Sequence, residues 1–448
     1  MKRFVRTWCL AAGAATLLAA AMPAPLVADA QGLDSTQKTH MREILHRVQQ
    51  VLRGNYFDTT YKGLDLKAHF KAVQDKVDAA SSANMAYALI AQSLLDLNDS
   101  HTFFVPPMRP EKYDYGWEMQ MIGDDPFVVA VRPGSDADAK GLKPGDKLLR
   151  VEQFLPTRKD LWKLQYAYYL LAPRHSVRVV AQSPGAQPRN LELKTKVTMG
   201  ERVIQLHLDM EDGGLGDEYR QTTERINRAV MLDDIALWKL ASFSFEPRDA
   251  DAVFDAVTKG AKSLVLDMRG NPGGYVKTLE AIAARFFEED VRIADLKGRR
   301  NMKPIATKKR KNPFTGKVVL LVDAGSSSAA EVLARMMQIE KRGIVIGDRS
   351  AGSVMQSLTM GGALEGVEGF IPFEVSVTNA DLIMKDGNSL EHVGVAPDEL
   401  VVPTGADLAA SLAARSTRRR LAGCSRSSGS KVRERGSSVP RNLRSPQP

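Results

Sequence analysis

The sequence predicts a mixed α/β chain in three folded parts: a helical N-terminal stretch, a small β-rich module and a larger α/β domain. Three observations predict it. Through residues 33–100 apolar side chains recur at helical spacing, first Met41, Ile44, Leu45, Val48, Val51 and Leu52, then Met85, Leu89, Leu94 and Leu95. Residues 115–198 hold short apolar runs separated by Pro-Gly and Gly-Asp turns. Beyond about residue 200, β-forming runs alternate with helical patterns, the signature of a largely parallel sheet. A chain of 448 residues is ample for two or three domains and a sizeable core.

At the N-terminus, Lys2, Arg3 and Arg6 precede an apolar run from Trp8 to Leu18, and Ala28-Asp29-Ala30 has the small-x-small form of a cleavage site. Residues 1–30 therefore read as a secretory signal cut after Ala30, which places the mature protein in the periplasm or outside the cell. A membrane anchor fits less well, because the run is short and broken by Gly13, Pro23 and Pro25; no other segment is apolar enough to span a bilayer. Of two cysteines, Cys9 leaves with the signal and Cys424 is left alone, so neither a disulfide nor a Cys-based metal site is expected. No cofactor or metal is expected.

The formal charge of +9 comes from the tail. From Arg415 onward there are ten basic residues and one acid, which accounts for the whole excess. The body is near neutral and gives no case for a nucleic-acid partner. The tail is rich in Ser, Arg, Gly and Pro, lacks apolar periodicity and is expected to be disordered.

The helical stretch ends in Leu97-Asn98-Asp99-Ser100-His101-Thr102, a polar cluster before Phe103-Phe104-Val105; a helix end, a turn and a short strand are expected there. In the module, Tyr115-Gly116-Trp117 opens a strand that Phe127 to Val131 continues. Pro156 to Leu171 reads as a helix, and Val177 to Val180 and Leu191 to Leu193 as a hairpin around Ser183-Pro184-Gly185. In the α/β part, Ile235 to Leu240, Leu264 to Asp267, Val318 to Val322 and Gly343 to Gly347 read as strands. Asp251 to Lys259, Tyr275 to Phe287 and Glu331 to Gln338 read as helices.

Three loops carry convergent polar groups. Asp267 to Gly274 is a Gly-rich turn leaving a buried strand; it reads either as a plain αβ turn or as an oxyanion hole, and it lacks phosphate-loop spacing. Val318 to Glu331 is a strand, a Gly-Ser turn and a helix start. Ser328 stands where unpaired N–H groups and the helix dipole favour developing negative charge, although Ser328-Ala-Ala-Glu331 is also a capping box. The third loop holds His101, one histidine of seven.

These stretches resemble known families. Pro133-Gly134-Ser135 with Gly141-Leu142-Lys143-Pro144-Gly145-Asp146 resembles a PDZ domain, and that resemblance implies peptide binding by strand addition at Tyr115, Gly116 and Trp117. The element from Leu264 to Gly274 resembles the D-x-R-x-N-x-G-G element of the S41 serine peptidases, the carboxyl-terminal processing and tricorn-like proteases. Val322 to Glu331 resembles their nucleophile turn. The resemblance implies a crotonase-like mixed α/β catalytic domain with an inserted PDZ domain and an N-terminal helical segment. The implied division is 1–30 signal, 31–112 helical region, 113–198 PDZ domain, 199–404 catalytic domain and 405–448 basic tail.

The processing branch uses a Ser/Lys dyad, with Lys in a downstream G-K-G-T stretch. Here that stretch is Ala351-Gly352-Ser353-Val354-Met355, and Ser353 takes the Lys place. The tricorn-like branch uses a Ser-His pair oriented by a second Ser and a Glu. Ser100-His101 and Glu391, in Glu391-His392-Val393-Gly394-Val395-Ala396-Pro397-Asp398, are similar to its elements. The implied roles are Ser328 as nucleophile, His101 as base, Ser100 and Glu391 as orienters, and the N–H groups of Gly273 and Ala329 as oxyanion donors. A serine hydroxyl needs a base tuned near neutral pH, and histidine with a hydrogen-bonded orienter supplies one. The expected function is an exported serine endopeptidase acting on protein or peptide substrates that the PDZ module helps to select, and an oligomer is compatible with it. A catalytically inactive peptide-binding protein of the same fold is the rival expectation.

Overall fold

The computed structural model describes residues 33–107, 109, 111–199, 227–366 and 369–410. The expected signal, both cysteines and the basic residues from Arg415 onward lie outside these residues. Among the described residues, no helix is long and apolar enough to cross a membrane.

The N-terminal helices are α1 (Ser35–Asn55), α2 (Leu66–Asp78) and α3 (Ala83–Leu95). Each starts where a short polar side chain takes an orphan backbone N–H: Asp34 accepts from Gln37, Asp65 from Ala68 and Ser82 from Met85. The six apolar residues of the α1 stripe are all buried. They share a core with Phe104, Phe373, Val375 and Val377. The strand after the polar cluster is β1 (Phe103–Val105), as expected.

The module begins with β2 (Glu111–Asp114), β3 (Trp117–Ile122) and β4 (Asp125–Val131), then α4 (Asp136–Ala139) and β5 (Lys147–Val151). Helix α5 (Leu161–Gln165) runs into a π-helical turn at Tyr166–Leu171, and β6 (Ser176–Gln182), β7 (Arg189–Lys194) and β8 (Lys196–Met199) complete it. The strand expected to run from Tyr115 to Val131 is instead a hairpin, β3 against β4, because Gly123 at φ +58° turns the chain. The helix expected from Pro156 starts later, at Leu161. Strand order is β3-β4-β5-β6-β7, so β3 is an edge, and β2 pairs with β8 at the neck of the module.

The α/β part follows with β9 (Asn227–Leu232), β10 (Ile235–Leu240), α6 (Pro247–Thr258), β11 (Ser263–Asp267), α7 (Val276–Ala284), β12 (Arg292–Gly298), β13 (Ile305–Ala306) and β14 (Lys317–Val322). Next come α8 (Ala329–Ile339), β15 (Ile344–Gly347), β16 (Met355–Gly366), β17 (Gly369–Met384) and β18 (Glu399–Leu400). One sheet has the order β18-β15-β14-β11-β10-β9, and every pair in it is parallel except β9 with β10. The expected parallel sheet is therefore present.

A second, antiparallel sheet has the order β1-β17-β12-β13, with β16 also on β17. Its long β16–β17 hairpin was not among the expected elements. Segments such as Met-Gly-Gly-Ala in β16 have weak strand character, and it is pairing along the hairpin that makes them strand. Residues 405–410, expected as the start of the tail, are helical. Thr404 and Asp407 bond reciprocally, Asp407 N–H to Thr404 Oγ1 at 3.2 Å and Thr404 N–H to Asp407 Oδ2 at 2.8 Å, which caps that turn.

Two contacts tie the module to the α/β part. Gln120 on β3 donates to Asp323 Oδ2 at 2.7 Å. Arg158 pairs with Asp348 at 2.8 Å, with the side chains only 16% and 8% exposed. Asp348 also accepts the Gly123 N–H at 2.8 Å. Removing one partner of so dry a pair leaves a buried charge uncompensated. Arg158→Ala is expected to lower stability by about 3 kcal/mol, read as a fall in the urea midpoint followed by circular dichroism; an unchanged midpoint would show that the pair contributes nothing.

Candidate active site

The parallel strands β11 and β14 are neighbours in register, Asp267 beside Leu321, so the loops at their C-terminal ends lie side by side. Backbone and side chain zip them together. Asp323 Oδ1 accepts from Gly270 N–H at 2.7 Å, Ser326 Oγ donates to Met268 O at 2.8 Å, and Ser327 N–H donates to Asn271 O at 2.9 Å. Ser328 then sits at φ +53°, ψ −120°, a costly conformation for a residue with a Cβ, at the strand-to-helix turn before α8. Such a turn lifts a side chain away from the strand it follows.

The strain is held by Glu331. Its carboxylate is fully buried and accepts four hydrogen bonds, two on each oxygen. Ser350 Oγ (2.6 Å) and Gly352 N–H (2.7 Å) donate to Oε1; Ser353 N–H (3.0 Å) and Ser328 N–H (3.0 Å) donate to Oε2. Burial pushes the carboxyl up to about 7 against the pull of these donors. The capping-box reading and the nucleophile reading of Ser328 thus coexist: Glu331 receives the Ser328 N–H and also clamps a loop far along the chain.

His101 reaches the same place from the other half of the molecule. Phe103, Phe104 and Val105 pair with Ser376, Val375 and Glu374 of β17, which docks the preceding turn on the α/β part. Ser376 Oγ donates to His101 O at 2.6 Å. Ser100 Oγ lies 2.8 Å from His101 Nδ1 and 2.8 Å from Glu391 Oε2. The carboxylate can only accept, so the single hydroxyl hydrogen of Ser100 goes to Glu391. Ser100 Oγ must then accept from His101 Nδ1–H, which leaves a lone pair on Nε2. Glu391 is fixed in turn by Ser100 N–H at 2.8 Å and Val354 N–H at 2.9 Å. Burial lowers the His101 pKa below its ordinary value, while the charges of Glu391 and Asp99 pull it up.

Ser100, His101 and Glu391 therefore meet directly. Ser328 joins them through the 352–354 backbone: its N–H also donates to Ser353 O at 2.9 Å, and the next residue, Val354, holds Glu391. No hydrogen bond joins Ser328 to His101 here, a bond that nucleophile and base often close only around substrate.

Of the expected oxyanion donors, Gly273 lies against Ser328. A Cβ added there would fall 2.6 Å from Ser328 Cβ and 2.9 Å from Ala329 N, at φ +91°. Its N–H, however, donates to Asn271 Oδ1 at 2.8 Å, so it can serve an oxyanion only in exchange for that bond. In the module, Tyr115 is buried and its hydroxyl is spent on Tyr168 O (2.9 Å) and Arg174 N–H (3.0 Å). Gly116 N–H goes to Asp114 at 2.9 Å, and its carbonyl accepts Arg132 N–H at 2.7 Å. What remains for a strand-adding ligand is the edge of β3 from Trp117 onward.

Sequence reasoning missed Asn271, Ser350 and Val354, which act through a buried amide, a hydroxyl and a backbone N–H. The one signal in sequence was the polar residues in otherwise apolar stretches.

Residues 234–401 match the sequence model of Peptidase family S41. That stretch is similar to an S41 peptidase domain. The chain is 23% identical over 350 residues to carboxy-terminal processing protease CtpB of Bacillus subtilis, covering 74% of this chain and 66% of that protein. It is 25% identical over 369 residues to the chloroplastic C-terminal processing peptidase of Tetradesmus obliquus, covering 78% and 74%. Among solved structures, mature CPAF superposes with a TM-score of 0.61 at 13% identity, over 89% of this chain and 100% of that one, which shows a shared fold.

Two outcomes follow from the clamp and the close approach. Glu331→Gln would turn an amide nitrogen toward two donors whichever way it flips, at a cost of about 1–3 kcal/mol for each N–H or hydroxyl left unpaired; calorimetry should show a lower melting temperature. Gly273→Ala should cost at least a hundredfold in kcat/KM on a peptide ester, because its Cβ cannot coexist with Ser328 as placed. A near-parental rate would show that the approach of these two loops does not matter to the site.

Proposed function

We propose that the S41 domain hydrolyses peptide bonds of protein substrates, with Ser328 as nucleophile and His101 as its base. The observation that supports this most is the Ser100 hydroxyl standing 2.8 Å from both the His101 ring and the Glu391 carboxylate, across 291 residues of sequence. That arrangement leaves His101 Nε2 free to take the Ser328 proton as the hydroxyl attacks a carbonyl. The imidazolium then returns the proton to the leaving amine, while Ser100 and Glu391 hold its Nδ1–H. Ala329 N–H, at the start of α8, is the donor better placed for the oxyanion, with Gly273 joining it when released by Asn271. Ser353 leaves no lysine at the family's dyad position, so the base is assigned to histidine.

The chain spans about two thirds of the length of CtpB. The names of that relative and of the Tetradesmus obliquus peptidase, both processing at carboxyl termini, suggest that substrates present a chain end. The five-stranded module resembles a PDZ domain, and its β3 edge suits an extended peptide added as a sixth strand. Export rests on the signal-like residues 1–30.

A pH–rate profile tests the base. Since burial lowers the His101 pKa, the base form persists below the ordinary value of about 6.5, and the acid limb of kcat/KM should fall on the acidic side of it. Ser328→Ala and His101→Ala should each lose several orders of magnitude on unfolded casein, and the double variant little more, because residues acting as a unit are not additive. Full activity in His101→Ala, rising only at alkaline pH, would instead point to a lysine base. A folded wild-type protein that leaves casein intact and is not labelled at Ser328 by a serine-hydrolase probe would favour a peptide-binding role.

A further inference from the structure

Asp99 lies two residues before His101 and is completely buried. Its Oδ1 accepts the His101 backbone N–H at 3.1 Å and the Thr378 hydroxyl at 2.7 Å. Its other oxygen is buried and closes no hydrogen bond; the donor that faces it is the buried Tyr56 hydroxyl at the end of α1, which closes none either. A carboxylate has room for about four donors, and leaving charge underpaired in a dry site is costly. The turn itself does not require that charge, since Asn or Ser can bond the same backbone N–H.

The groups around Asp99 show where the charge acts. From α1 comes Tyr56, whose phenol is raised well above its usual range by burial first and by Asp99 next. From β17 comes the neutral Thr378. From the C-terminal loop comes Glu391, a second anion. Beyond the turn, Lys62 Nζ (3.0 Å) and His392 Nε2 (2.9 Å) both bond to the carbonyl of Asn98. Asp58 accepts the Lys62 N–H at 2.8 Å, and the Arg299 guanidinium bonds to the Tyr56 carbonyl. Asp99 accepts from the backbone of His101 itself, and both Glu391 and Asp99 favour the charged form of the His101 ring.

We propose that Asp99 is a positioning residue for catalysis, a second buried carboxylate that steadies the His101 imidazolium formed when Ser328 gives up its proton. Glu391 acts on the ring through the Ser100 hydroxyl; Asp99 acts through its charge and through the backbone of His101. The inference rests on His101 being the base, but its first test does not need activity.

In full-length Ser328→Ala protein, the His101 ring is titrated by NMR, its signal assigned by loss in His101→Ala. Asp99→Asn keeps an Oδ1 acceptor and the shape but removes the charge. Thr378→Val removes a donor and keeps the charge. The His101 midpoint should fall by about one pH unit in Asp99→Asn and rise in Thr378→Val. In the active enzyme, the acid limb of Asp99→Asn should shift the same way, and kcat on an activated ester should drop about tenfold or more with KM little changed.

An unmoved midpoint in folded Asp99→Asn, or shifts of both variants in one direction, overturns the inference, because loosening of a structural turn would move both alike. If Asp99→Asn does not fold, Thr378→Val decides, and a midpoint that fails to rise is the refuting result. If instead His101 is not the base, His101→Ala keeps its rate while the titration shifts still occur, so the two failures are told apart.

Discussion

Two buried carboxylates and the backbone between residues 350 and 354 hold this site together. Glu331 comes from the nucleophile helix and Glu391 from the C-terminal loop, and neither can be buried without donors. The chain meets that demand with consecutive amides: Gly352 and Ser353 for Glu331, and Val354 for Glu391. Because the amides are adjacent, the two carboxylates are fixed relative to each other, and so are the strained Ser328 turn and the Ser100–His101 pair. The 352–354 segment thus acts through its backbone, as the joint between the Ser328 turn and the Ser100–His101 pair.

The same requirement explains why the helical N-terminus belongs to the site. His101 stands on a turn anchored to the α/β part by β1 on β17, by Ser376 on its own carbonyl and by the contacts of Asn98, Asp99, Ser100 and Thr102. The apolar stripe of α1 and the core of α3 bury against the same β17 surface. Burial of that stripe supplies free energy that keeps the His101 turn docked, which links a patch of ordinary packing to the candidate site. The module is attached through the β2–β8 neck, through Gln120 and Arg158, and through Ala167 and Leu171, which pack into the core of the N-terminal helices.

Much of this was legible in the chain. The α1 stripe, the strands β10, β11, β14 and β15 and the helix α8 follow from apolar spacing, because each buries a face whose period the sequence states. The hairpin of β16 and β17 was not legible, since its residues become strand by pairing with each other and with β1 and β12. Tyr115 to Val131 read as one strand because a lone Gly-Asp step, Gly123-Asp124, is a weak turn signal between two runs of apolar residues. Ser328, His101 and Glu391 could be named, but only from motifs; nothing in their spacing gave distance.

The sequence by itself determined the periodic elements, the turn chemistry around Gly273 and Ser328, and the set of polar residues available for catalysis, because those depend on neighbours within a few positions. Only the tertiary structure decided which of them meet. Ser100 and Glu391 are 291 positions apart, and their hydrogen bond exists because β1 pairs with β17 and Val354 pins Glu391. It likewise decided that Asp99 is dry and underpaired: whether a carboxylate is charged against water or against a neighbouring imidazole depends on what the rest of the chain packs over it.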